Sequence, residues 1–176
     1  VREVAAAVPE DIRLTTFSTL FARYKGDFAA QLAGAAAIDT LKDGDRVLIA
    51  EGCSHHVTCD DIGRVKIPNW MKKYTGRELK FEWTQGADFP DNLEDYALVV
   101  HCGGCMLNRA EVRRRINECA RQGVKVTNYG IVISKMQGVL ERVVKGIADA
   151  GATGSVSDTG SISDTGSISD TGEESD

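Results

Sequence analysis

Two short apolar runs, Val47-Leu48-Ile49-Ala50 and Ala97-Leu98-Val99-Val100, each lead directly into a loop that carries cysteine. Aliphatic runs of this length, bounded by turn signals, suit strands buried on both faces, and such strands belong to parallel sheets covered by helices. The text between and beyond them fits that plan. Pro68 and Gly76 bracket a helix carrying Trp70, Met71 and Tyr74, in the usual order of proline first and glycine last. Phe81 to Thr84 reads as a weaker strand, and Asp88-Phe89-Pro90-Asp91-Asn92 as a turn. Asn108 and Glu111 have capping-box spacing ahead of a helix whose inward stripe is Val112, Ile116, Cys119 and Ala120. Val124 to Thr127 reads as another strand, and Ile131 to Ala150 as mostly helical with a break at Gly138. Strand and helix therefore alternate. The expected fold class for residues 43–150 is α/β, an open and mostly parallel sheet flanked by helices.

The flanks read differently. Phe17, Leu20, Phe21, Tyr24, Phe28 and Leu32 recur at spacings of three and four, which predicts amphipathic helix, with Gly26 placed to divide it. Lys42-Asp43-Gly44-Asp45 is a turn signal and marks the expected boundary. Residues 1–42 are too few for a core of their own, so this N-terminal helical segment must pack on the rest of the chain, on a second copy or on an upstream segment. A sequence that opens on Val1 is expected to be a piece of something longer. At the other end, Ser155 to Gly160, Ser161 to Gly166 and Ser167 to Gly172 repeat one Ser-Val/Ile-Ser-Asp-Thr-Gly unit with a single aliphatic residue each. Such a unit cannot bury enough apolar area to offset its ordering entropy, so residues 151–176 read as a disordered low-complexity tail.

Charge and cysteine usage exclude several function classes. The chain has 26 acidic and 21 basic residues, but the tail holds acidic and no basic side chains, which leaves the foldable part near neutral. Nucleic acid is not an expected partner. No apolar stretch approaches the roughly 18 residues that a membrane span requires. Five cysteines, an odd number, without a basic and apolar leader, read as reduced thiols or metal ligands rather than a disulfide framework. The expected location is the cytosol, or an organelle matrix or stroma in a eukaryote.

Cys53-Ser54-His55-His56 and His101-Cys102-Gly103-Gly104-Cys105 carry the chemistry. In an open α/β sheet, sites form where loops leave the carboxyl ends of strands, so the two cysteine loops are placed to open on one edge. A Cys-x-x-Cys pair with glycines between directs two sulfurs at one centre. Three readings stand on spacing alone. Zinc would complete a tetrahedron from Cys53 and His55 or His101; an iron–sulfur cubane would take three thiolates and leave the fourth iron to imidazole or a foreign ligand; a thiol–disulfide pair would use Cys102 and Cys105 only. Cys119 falls on a helical apolar stripe and reads as core, Cys59 as a lesser ligand candidate, and Trp70, Tyr74 and Trp83 as core. The Arg113-Arg114-Arg115 run reads as a solvated helix face.

Cys53-x-His55 with His101-Cys102-x-x-Cys105 resembles the signature of the FeFe-hydrogenase maturation GTPases, the HydF family. The blocks Phe21 to Asp27, Asp61 to Pro68, Asp88-Phe89-Pro90 and Thr127 to Gly130 are similar to that family as well, so the likeness covers about residues 14–147. The resemblance implies a 4Fe-4S cluster held by Cys53, Cys102 and Cys105, with His101 or His55 near the remaining iron. It implies a scaffold that accepts a di-iron precursor from two radical-SAM maturases and passes it to the apo-hydrogenase, working as a homodimer. The family's GTPase domain is expected to be missing, since no Gly-x-x-x-x-Gly-Lys-Ser/Thr loop occurs and GTP has no phosphate cradle here. Residues 1–42 would then end the dimerisation domain, and no enzymatic activity is expected of this chain. Arg64, Lys66 and Arg109 are candidates for drawing an anionic precursor to the mouth.

Overall fold

The computed structural model describes residues 1–53 and 60–152, with side chains up to Ile147. His55, His56 and Cys59 of the first cysteine loop, and the repeats from Ser155 onward, lie outside the described residues. Among the described residues, seven α-helices and four strands follow one another as α1 (Arg2–Ala7), α2 (Phe17–Lys25), α3 (Phe28–Ala36), β1 (Arg46–Ala50), α4 (Ile67–Thr75), β2 (Lys80–Thr84), β3 (Leu98–His101), α5 (Arg109–Arg121), β4 (Lys125–Asn128), α6 (Tyr129–Met136) and α7 (Leu140–Ala152). The strands form one sheet in the order β2-β1-β3-β4, parallel throughout. The α/β class expected from the alternation is the one found, and the helix break falls at Gly138, whose φ of 72° suits glycine.

Period-two alternation divides the strand residues between two helical layers. Val47, Ile49, Leu98 and Val100 pack with Ile67 and Met71 of α4 and Val132 of α6. Leu48, Ala50, Val99 and Val126 pack on the opposite face with Val112, Ile116 and Cys119 of α5. Both central strands are therefore covered on both sides, which is why their sequences are apolar runs rather than alternating ones. α4 starts with Pro68 in its first turn and ends at Gly76 in the left-handed region, as the sequence predicts.

α3 packs along β4 so closely that a Cβ on Gly34 would collide with the carbonyl oxygen of Val126. The leading segment is held from the other end of the chain, where Arg142 of α7 donates to the carbonyls of Ala5, Val8 and Pro9.

The faces of α2 are now assigned, and two expectations about packing are corrected. On α2 the small residues Thr19 and Ala22 face the protein, while Phe17 is 81% and Tyr24 71% exposed. The periodic stripe is real, but Phe17, Leu20 and Tyr24 of α2 point outward, while Phe28 and Leu32 of α3 pack against Ala22, Ala35 and Ile131. Tyr74 and Trp83 are also exposed rather than core. Arg115 is not solvated; it lies on the buried stripe of α5, 1% exposed. Among the described residues no helix is long and apolar enough to cross a membrane.

Candidate metal centre

The strand order fixes where a site can form. From β1 the chain crosses through α4 to β2 on one side, and from β3 it crosses through α5 to β4 on the other. The loops after β1 and β3 therefore diverge, opening a crevice at the carboxyl edge between neighbouring strands, the switch point at which open α/β sheets bind ligands. Ala50 and His101 are register partners at that edge. Cys53 follows the first by a short step, and Cys102 and Cys105 follow the second.

The two loops are tied together through sulfur. Cys102 Sγ accepts the backbone N–H of Gly52 at 3.0 Å, across the crevice, and that of Gly104 at 3.3 Å within its own loop. Burial pushes the Cys102 thiol above its ordinary range; the two N–H groups pull it back, and the nearby Cys53 and Cys105 thiols push it up again. Those neighbours belong to one electrostatic cluster with Cys102. None of the three is in a disulfide, and exposure rises from the partly buried Cys53 and Cys102 to the exposed Cys105. Gly104, at φ 66°, turns the second loop, and its hydrogen atoms stand where a Cβ would press on Val112.

A residue from α2 clamps that loop. Lys25 Nζ donates to the carbonyls of Gly104 at 3.0 Å, Cys105 at 3.1 Å and Leu107 at 2.7 Å. Its ammonium is thus fixed under the cysteine loop. The same group lies 4.8 Å from the centre of the Phe21 ring.

His101 ends β3 and is 1% exposed. Its Nε2 faces Arg115 Nη1 at 3.5 Å, and its Nδ1 lies 2.7 Å from the Cys102 carbonyl. Arginine only donates, so Nε2 accepts and Nδ1 carries the proton. Burial drives the imidazole down to about 4, which keeps it neutral. Both ring nitrogens are engaged within the protein. Arg115 also donates to Glu111 at 2.7 Å and to the Gly86 carbonyl at 2.5 Å.

Behind the thiols lies a polar wall. Glu51, 1% exposed at the end of β1, accepts from Arg64 at 3.1 Å and from Gln85 at 3.3 Å. Arg64 sits on a single π-helical turn, Ile62–Lys66, capped by Asp61 and leading straight into α4. π-Turns concentrate at functional sites. With its guanidinium on Glu51 and 5.9 Å from the Trp83 ring, Arg64 is committed to structure. Arg109 remains exposed.

A cysteine-bound group fits what is present: several soft donors on one edge, backbone N–H groups already aimed at sulfur, and glycines where the loops approach. Among the described residues no three His, Cys, Asp or Glu side chains are arranged to hold one metal ion. A tetrahedral ion needs its thiolates at about 2.3 Å, hence within about 4 Å of each other, whereas a cubane gives each thiolate its own iron. Glu51, Lys25 and Arg115 are absent from the sequence-based candidates. The legible signal was faint: a lone carboxylate ending an apolar strand, and an arginine between Val112 and Cys119 on a buried stripe.

Comparison with known protein families gives two adjoining matches. The model described as "Hydrogen maturase F tetramerization domain" matches residues 29–146, and "Hydrogen maturase F dimerization domain" matches residues 1–26. A comparison with curated proteins gives no match.

Proposed function

The chain belongs to the hydrogen maturase F family, and from that premise we propose that its switch-point crevice holds a 4Fe-4S cluster on Cys53, Cys102 and Cys105. Membership places the chain in hydrogenase maturation and in an assembling class of protein, since both matched regions are oligomerisation domains. The observation that carries the proposal is the bond from Gly52 N–H to Cys102 Sγ, which brings the Cys53 loop and the Cys102 loop to one place.

Three thiolates on a cubane leave one iron with a replaceable ligand, at which a di-iron precursor can attach and later leave. The fourth position is filled by His101, by His55, by Cys59 or from outside the protein. His101 reaches it only by giving up its bond to Arg115 or to the Cys102 carbonyl. The residues described here do the remaining work: Lys25 fixes the loop, Gly52 and Gly104 donate to sulfur, and Glu51 with Arg64 braces the wall. In this reading the radical-SAM maturases supply the precursor and the apo-hydrogenase receives it. GTP hydrolysis belongs to a separate domain, and the chain as given is a non-enzymatic carrier. The outward apolar face of α2, within the region matched by the dimerisation model, suits contact with a second copy.

Anaerobic reconstitution with ferrous iron and sulfide tests this. About four irons and four sulfides per chain, with a cubane EPR signal on reduction, are expected. A colourless protein that retains a single zinc would overturn it.

A further inference from the structure

Tyr129 opens α6 directly after β4, so its ring is delivered to the carboxyl edge of the sheet. The ring packs against the layer of Ile67, Met71 and Val100. The hydroxyl does something else. It is buried and has no hydrogen-bond partner among the described residues. It presses on the π-turn at Gly63, where a Cβ would collide with it and would stand 2.7 Å from Glu51 Oε1. Glycine at 63 thus leaves room for a phenol oxygen and a carboxylate oxygen to approach the same spot. Trp83 Nε1 holds the turn in place through the Gly63 carbonyl at 3.1 Å.

A buried hydroxyl left without a partner has given up water for nothing and destabilises the fold. A phenylalanine would fill the same space without that cost. Buried hydroxyls are ordinarily paired, and those left over call for an occupant that the protein itself does not supply. Asn128, just before Tyr129, is the register partner of His101, just before Cys102, so the phenol is delivered to the same stretch of the sheet edge as the Cys102 loop. A phenol O–H is a donor. A buried donor on the same sheet edge as the cysteine loop suits sulfide, thiolate or a polar ligand on the open iron.

We propose that the Tyr129 hydroxyl donates a hydrogen bond to the bound cluster or to the ligand at its open iron, and so acts as a positioning residue of the site. This rests on the cluster reading above and adds to it. Hydrogen bonds to cluster sulfur favour the reduced, more negative state and so raise the reduction potential. Substitution Tyr129→Phe removes the donor and keeps the ring.

The test pairs two measurements whose expected directions oppose each other. Before reconstitution, the Y129F protein should melt at the same temperature as wild type or higher, because an unpaired hydroxyl has been removed. After reconstitution with iron and sulfide, it should show a more negative potential in an EPR-monitored reductive titration and lose iron several-fold faster to a chelator. A lower melting temperature before reconstitution would reveal a protein partner for the hydroxyl and overturn the assignment. So would an unchanged potential together with unchanged iron release. A wild-type chain that takes up no cluster would overturn this assignment along with the reading it rests on. A loaded wild type beside an indistinguishable Y129F would overturn the role of the hydroxyl alone.

Discussion

The backbone N–H of Gly52 and the sulfur of Cys102 meet at 3.0 Å across the switch point between β1 and β3. The two N–H groups on this sulfur offset part of the effect of burial, which still holds the Cys102 thiol above its ordinary range. Cys119, fully buried on α5, is pushed up to about 12 by burial.

That contrast predicts an order of reactivity. With iodoacetamide and mass spectrometry on the unloaded protein, Cys105 should be modified first, Cys102 later and Cys119 last, in keeping with their exposure. Loading with iron and sulfide should protect Cys53, Cys102 and Cys105. Equal labelling of these three before and after loading would contradict the site.

Lys25→Met should remove the bonds to Gly104, Cys105 and Leu107 and cost about 1–3 kcal/mol. Iron release to a chelator should accelerate, and Lys25→Arg should restore part of the loss. Unchanged release would mean that the clamp is ornamental.

Acid should weaken the α5 anchor in a defined window. Arg114, and after it Arg115, hold the Glu111 carboxyl down at about 2, against an ordinary value of 4.5. Its contribution is complete above about 4.5, because the unfolded chain is then ionised too. It is lost as pH falls toward 2, where the folded state also takes up the proton. Glu111→Gln should flatten that part of a stability-versus-pH curve. At neutral pH it should cost up to about 3 kcal/mol, since it leaves the buried Arg115 without its anion.

Gly34→Ala should destabilise the chain by about 1–3 kcal/mol or more, because the new methyl meets the Val126 backbone rather than a side chain able to turn away. Urea unfolding would measure it. An unchanged midpoint would show that α3 does not sit on β4 as described.

The fold was legible in this sequence where burial wrote itself into composition: β1 and β3 are apolar runs because both faces are covered, and α4 carries its proline and glycine at the proper ends. The cysteines were legible because each follows such a run at once. Lys25, Tyr129 and Arg115 were not. Lys25 acts on carbonyls some 80 residues away, and nothing local distinguishes it from a solvated lysine. Periodicity revealed the stripe on α2, but periodicity does not say which face a neighbour covers. There Thr19 and Ala22 allow a close approach that the large residues would prevent. The run Arg113-Arg114-Arg115 shows the same limit, since one of three identical residues points inward.

The central claim is that Cys53 joins Cys102 and Cys105 on one cluster, and single replacement by alanine tests it most directly. After anaerobic reconstitution, the cubane EPR signal should be lost or severely reduced in C53A, C102A and C105A and retained in C119A. A full signal in C53A would contradict the account.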